Sequence, residues 1–149
     1  MKTLIENRKA LFDFDLIEKY QAGLVLLGLE VKSLRLGRGT LQGSYIIIRG
    51  EEAFWIGANI PPYQPNNTPK DYLPKHERKI LITKKEIRYL LGKTKEKGLT
   101  LVPIKVYTNK DKIKLEFALV KSKKKYDKRQ SIKERETDRT IDRALKGMY

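Results

Sequence analysis

Residues 99–120, LTLVPIKVYTNKDKIKLEFALV, carry the clearest structural signal in the 149-residue chain. Two extended runs, 99–108 and 112–120, flank a short polar break, the pattern of a β-hairpin. In the second run Ile113, Leu115, Phe117 and Leu119 fall on one parity, and Lys112, Lys114 and Glu116 on the other. A strand sends alternate side chains to opposite faces, so the first set points to a core and the second to solvent.

The same periodicity extends towards the N-terminus. Residues 14–28 read as a long strand with Phe14, Leu16, Tyr20, Ala22, Leu24 and Leu26 on a core-facing parity and Glu18 as the exception. On the other parity Asp15, Lys19 and Gln21 are polar and Val25 and Leu27 apolar, so this strand is expected to begin half exposed and end covered on both faces. Residues 44–49 and 53–60 form a second hairpin through Gly50, with Trp55 on its second strand, and 79–82 add a short strand. A short helix is expected at 30–36, with Val31 and Leu34 on one side and Gly37-Arg38-Gly39 as its stop. Another opens at Thr83, where Glu86 completes a capping box; Ile87, Leu90 and Leu91 form its apolar stripe and Gly98 its terminator. Between the strands, residues 61–74 form a loop holding five of the six prolines. Short antiparallel strands with short helices predict a mainly β protein over residues 1–120, a closed antiparallel barrel for which the oligonucleotide-binding fold is the usual basic example.

Charge narrows the partners. Lys and Arg number 33 against 18 Asp and Glu, a net of +15, and such a field favours polyanions, nucleic acid first among them. A membrane surface fits less well, because no segment pairs a broad apolar face with a basic one. No apolar run reaches the length of a membrane span, residues 1–10 lack the apolar core of a secretory signal, and there is no cysteine; a reducing cytoplasm is the expected compartment.

After Val120 the character changes. Residues 121–149 form a basic C-terminal tail in which Ser131 and Glu134 make a further capping box, yet residues 133–140 include no large apolar side chain to bury. Such a tail is expected to be disordered or frayed when free and helical when bound. Its first part, 121–129, has six cations and one acid with Tyr126 among them, a combination that can neutralise phosphates and stack on an unpaired base. A solvated charge run is the plain alternative. Because Lys112 and Lys114 project from the preceding strand, strand and tail are expected to present one continuous basic strip.

Catalytic chemistry finds little support. His76 is the single histidine and lies in a loop rich in Pro and Lys, where it reads as incidental. Asp13 and Asp15 have a spacing that suits a metal but lack a third ligand, and phosphate-loop, dinucleotide-binding and zinc-ligand patterns are absent. No enzyme, metal or cofactor is expected.

Several ordered fragments together resemble a known family. Asn7-Arg8-Lys9-Ala10, Ala22-Gly23 with residues 24–26, and Glu30-Val31-Lys32-Ser33-Leu34-Arg35 are similar to the start of small protein B, the SsrA-binding protein family. Ser44-Tyr45, Gly92-Lys93, residues 96–103 (EKGLTLVP), Tyr126-Asp127-Lys128-Arg129 and Ile132-Lys133-Glu134-Arg135 continue the likeness in order. The resemblance implies an oligonucleotide-binding barrel that binds the tRNA-like domain of tmRNA and accompanies it to stalled ribosomes. It also implies a tail that enters the empty mRNA channel near the decoding centre of the small subunit. Alanyl-tRNA synthetase, which charges the RNA, and elongation factor Tu, which delivers it, are implied as indirect partners.

Family RNA-contact positions fall on Asn7, Gln21, Leu81 and Lys114, and the surrounding basic and motif residues Phe12, Glu30, Lys32, Arg35, Lys112, Lys123, Lys124 and Lys125 are expected to join them. In the Glu30–Arg35 motif, Glu30, Lys32 and Arg35 are the residues expected to reach solvent. Ribosome contacts are implied for Tyr126, Asp127, Lys128, Arg129, Lys133, Arg135 and Leu145. Gln21 replaces the family's usual Glu, so a carboxylate becomes an amide that both donates and accepts. Phe12 replaces a frequent His, which keeps stacking but loses ring-nitrogen bonds, and Val120-Lys121-Ser122 replaces a more usual Ala-Lys-Gly. Two other readings stay open at this point: a structural ribosomal protein binding ribosomal RNA or tRNA, and an RNA-modifying enzyme.

Overall fold

A computed structural model describes residues 1–122, the side chain of Leu11 apart. Its strands are β1 (Lys2–Glu6), β2 (Phe14–Leu24), β3 (Tyr45–Arg49), β4 (Glu52–Ile56), β5 (Arg78–Leu81), β6 (Leu99–Asn109) and β7 (Lys112–Ser122), and its helices α1 (Ala10–Asp13), α2 (Gly28–Arg35) and α3 (Lys84–Lys93). The protein is mainly β, with all its strand pairings antiparallel among these residues. Neighbours run β1-β6-β3-β4-β5-β2-β7, and β7 pairs in turn with β6, so the path of pairings returns to β6. The tail at 121–149, apart from Lys121 and Ser122 at the end of β7, lies outside the described residues. So do Lys123, Lys124, Lys125, Tyr126, Asp127, Lys128, Arg129, Lys133, Arg135 and Leu145.

The hairpin at 99–120 forms as its pattern requires, with Leu115, Phe117 and Leu119 fully buried. They join Trp55, Leu34, Leu41, Ile80, Leu90 and Leu101 in the main core. The indole N–H of Trp55 is buried and donates to Ser44 Oγ at 3.0 Å, which itself donates to the Leu41 carbonyl at 2.6 Å, so the large ring is enclosed without leaving a polar group unpaired.

β2 departs from the expected single core face. Its register to β7 shifts between Leu16 and Glu18, which opposes Leu16 to Val120 and Glu18 to Leu119. One extra residue in a strand reverses the face of everything beyond it. Tyr20 and Ala22 therefore meet Phe117 and Leu115 over the main core, whereas Phe14 packs outside with Ala10, Val102, Ala118 and Val120. Leu16, on that same outer face, is exposed. Glu18 is accommodated by two phenols: Tyr20 and Tyr89 donate to its two oxygens at 2.6 and 2.7 Å. These bonds, those from Tyr20 first, hold its carboxyl below the usual range.

Nor is the far end of the 14–28 segment covered on both faces. β2 stops at Leu24, the chain turns into α2, and Val25 and Leu27 are half exposed. Helix α2 starts two residues before the expected 30, with the Glu30 carboxylate accepting from the Leu27 N–H at 2.9 Å. In α3 the Thr83–Glu86 capping box is present, but the helix ends at Lys93, where Thr94 Oγ1 donates to the Leu90 carbonyl. Gly98, at φ 83°, instead turns the chain into β6. β4 ends at Ile56, because Gly57 at φ 83° bends the chain out of the strand. β1 escapes sequence reading because its two apolar residues, Leu4 and Ile5, are adjacent and a register shift lies between Thr3 and Ile5.

The turn of the central hairpin is unusual in chemistry. Lys110 and Asp111 both have positive φ, 51° and 67°, where Asn-Gly is the favoured pair. Replacing Lys110→Asn and Asp111→Gly together is expected to stabilise the protein by about 1 kcal/mol, because the left-handed region is costly for most side chains. A higher urea midpoint at unchanged m-value would register it.

Candidate nucleic-acid interface

The shared outer face of β2, β7 and β6 and the groove at its end bring together five of the residues expected to meet RNA. Register places Gln21 opposite Glu116, Gly23 opposite Lys114, and Tyr107 opposite Lys114 on the other side. Beyond this face lies a groove of about 420 Å³ whose lining includes Arg35, Leu81, Lys112 and Lys114. Leu81 is 52% exposed and lies over Gly23, where an added Cβ would stand 3.4 Å from that of Leu81. A side chain at position 23 would thus rest in contact with Leu81. Arg35 donates to the Asp111 carbonyl at 2.9 Å, tying α2 to the hairpin turn that carries Lys112. The arrangement places three cations around an exposed apolar surface, suited to phosphates and to the face of a base.

Tyr107 and Glu116 belong to this site although sequence reading gave neither a role there. The Tyr107 hydroxyl donates across β7 to Gln21 Oε1, and Gln21 Nε2 donates to Glu116 Oε1 at 3.1 Å. Burial, with the Glu116 charge second, pushes the Tyr107 phenol up. No sequence pattern announces a bond between residues 86 apart.

The remaining expected contacts lie elsewhere. Asn7 and Phe12 line a separate cavity of about 710 Å³ beside β1 and α1, together with Arg8 and Lys9. Asn7 itself is buried, its amide donating to the Pro103 carbonyl at 3.0 Å. Lys32 is exposed, with its ammonium 5.5 Å from the centre of the Tyr63 ring. The continuous basic strip along β7 is not found: between Lys114 and Lys121 the outer positions are Glu116, Ala118 and Val120, the last two fully buried. Lys112 and Lys114 sit at the end of β7 away from Ser122, where the tail begins.

Glu30 requires the largest correction. It does not reach solvent: it is fully buried and faces Arg78, 1% exposed, whose Nε donates to Glu30 Oε2 at 2.6 Å. His76 Nε2 lies 2.8 Å from the same oxygen, and the Tyr72 hydroxyl oxygen lies 3.2 Å from it. His76 is thus a partner of the buried carboxylate, a role its loop setting concealed. Burial pushes the Glu30 carboxyl up, but the Leu27 N–H, Arg78 and His76 outweigh it and hold the group below its ordinary value. Among the described residues no cluster of three or more His, Asp or Glu is placed to hold a metal ion, and no helix is long and apolar enough to cross a membrane.

An antiparallel sheet bearing a basic, partly apolar groove defines a small β protein suited to a polyanion. The chain belongs to the SmpB protein family, whose model matches residues 4–147. It is 47% identical to the SsrA-binding protein of Syntrophobacter fumaroxidans over 145 residues, covering 97% of this chain and 89% of that one. With the SsrA-binding protein of Carboxydothermus hydrogenoformans it shares 46% identity over 148 residues, covering 99% of each. It is also similar to a solved chain from the structure "tmRNA-SmpB: a journey to the center of the bacterial ribosome", with TM-score 0.67 and 40% identity over 80% of this chain and 84% of that one.

Glu30→Gln is expected to destabilise the fold by about 3–5 kcal/mol by leaving Arg78 buried and unpaired, whereas Lys32→Ala, at an exposed position, should cost under about 0.5 kcal/mol. Because the Glu30 carboxyl is lowered in the folded state, its contribution is fully present above the ordinary value of 4.5 and is lost as pH falls through the lower folded value. Denaturant titrations across that acid range should show this loss in the parent protein and its absence in Glu30→Gln.

Proposed function

We propose that this chain binds the tRNA-like domain of tmRNA and accompanies it to stalled ribosomes in trans-translation, where the ribosome is rescued and the nascent peptide tagged. The observation that carries this reading is the family match over residues 4–147, which takes in both the sheet and the basic tail. Relatives over nearly the whole chain bear the name SsrA-binding protein, and the similar solved chain comes from a tmRNA–SmpB structure concerned with the ribosome.

In this reading the sheet is an oligonucleotide-binding barrel, supported by the pairings that return to β6. Gln21, Arg35, Leu81, Lys112 and Lys114 form one RNA-facing surface; Asn7 and Phe12 contribute through the cavity beside β1. The tail, with Lys123, Lys124, Lys125, Tyr126, Asp127, Lys128, Arg129, Lys133, Arg135 and Leu145, enters the mRNA channel towards the decoding centre. The protein acts in the cytoplasm by binding and makes or breaks no bond. Alanyl-tRNA synthetase charges the RNA and elongation factor Tu delivers it.

Affinity for the isolated tRNA-like RNA should fall linearly with salt on logarithmic axes, because lysine and arginine side chains release the counterions condensed on the phosphates they neutralise, and Lys114→Ala should lower that slope by about 1. A salt-independent affinity contradicts the reading. Truncation after Lys128 should leave RNA binding intact and abolish peptide tagging on stalled ribosomes; loss of RNA binding would mean that barrel and tail do not divide the work in this way.

A further inference from the structure

Gln21 is exposed, yet its amide is not free to turn. Tyr107 stands on β6 and Gln21 on β2, so the phenol spans the intervening strand β7 to reach Gln21 Oε1. The other end of the amide donates to Glu116, its cross-strand partner. A carboxylate only accepts, so a flipped amide would set its oxygen against that of Glu116. Glu116 is itself held: its side chain is 13% exposed and its second oxygen lies 4.0 Å from Lys105 Nζ, which sits 5.7 Å above the Tyr107 ring. With these bonds made, the Gln21 amide still offers one N–H and one acceptor lone pair outward.

We propose that Tyr107 is a positioning residue and that Glu116 sets the sense of the Gln21 amide, so that position 21 reads an uncharged group of the RNA, a ribose hydroxyl or a base edge. This rests on the RNA-binding reading above. Glu116 places a negative charge directly beside Gln21, which disfavours a phosphate there. The cations that suit phosphates, Arg35, Lys112 and Lys114, line the adjoining groove. Electrostatic and neutral recognition are thereby separated along one face: the groove takes the backbone, and the amide takes a hydroxyl or base. A carboxylate at position 21 would meet Glu116 with like charge, so the amide found here and Glu116 fit each other.

The test is the affinity of the full chain for the tRNA-like domain of tmRNA, transcribed in vitro, over a salt series. Gln21→Ala should weaken binding about fivefold at unchanged salt slope, as expected for one lost neutral hydrogen bond. Tyr107→Phe, which removes only the hydroxyl, should weaken binding to a similar degree in the parent protein and have no further effect in the Gln21→Ala background. In Glu116→Gln the amide is no longer held in one sense, so Gln21→Ala should cost less than it does in the parent. Equal losses from Tyr107→Phe in both backgrounds would make it a general packing residue and overturn the proposal, as would a lower slope in Gln21→Ala. An unchanged cost of Gln21→Ala beside Gln at 116 would overturn the part assigned to Glu116. If Gln21→Ala costs nothing while Lys114→Ala still weakens binding, the proposal fails and the RNA-binding reading stands; if the parent chain does not bind the RNA, both fail.

Discussion

Glu30 and Arg78 meet where neither touches water, and the loop-rich half of the protein is organised around that contact. A buried charge is costly unless its hydrogen-bonding capacity is met. Arg78 meets it with Glu30, the carbonyls of Ala58, His76 and Pro74, and the Tyr72 hydroxyl. Tyr72 donates in turn to the Ile60 carbonyl, and His76 reaches both Glu30 and the Glu77 carbonyl. Helix α2, strand β5 and both ends of the proline-rich loop at 61–74 are thereby joined through one carboxylate. Such a loop has little apolar surface to bury, so a polar cluster holds it. Fixing α2 in this way also fixes Arg35 on its last turn, which reaches the central hairpin.

A second constraint is the pair of register shifts, one in β2 between Leu16 and Glu18 and one in β6 between Pro103 and Lys105. Each reverses which face a strand shows to the core. One half of β2 and β7 consequently has a second apolar cluster on its outer face, with Phe14, Ala118 and Val120. The other half leaves that face to Gln21, Glu116 and Lys114. Pro103, which has no N–H to donate, sits beside the shift in β6, where the ladder is interrupted in any case. The polar platform and the apolar cluster are therefore two ends of the same three strands.

Alternating and capping residues were legible because they report local rules. The 99–120 hairpin, Trp55 on β4, the Thr83–Glu86 cap and the inward set Leu115, Phe117 and Leu119 all follow from side-chain period or a three-residue spacing. The bulge in β2 was not legible, because Leu16, Ile17 and Glu18 fit an unbroken parity with one exception as well as a shifted one. The burial of Glu30 is hidden from the sequence for a related reason: a carboxylate in a helix is ordinarily a solvent-facing residue, and its cation lies 48 positions away. His76, judged by its loop, belongs to the same buried cluster.

Net charge and the ordered family motifs are properties of the chain as a string, and they point to RNA without the fold. They are local or additive, so folding does not alter them. Which residues share a surface is neither. Gln21, Leu81 and Lys114 come from three strands and Arg35 from a helix, and it is strand register that assembles them while sending Asn7 and Phe12 to another cavity. The Tyr107–Gln21–Glu116 chain is the clearest instance. Hydrogen bonds across neighbouring strands depend on pairing order and on which face each residue shows, and both are set only when the sheet folds.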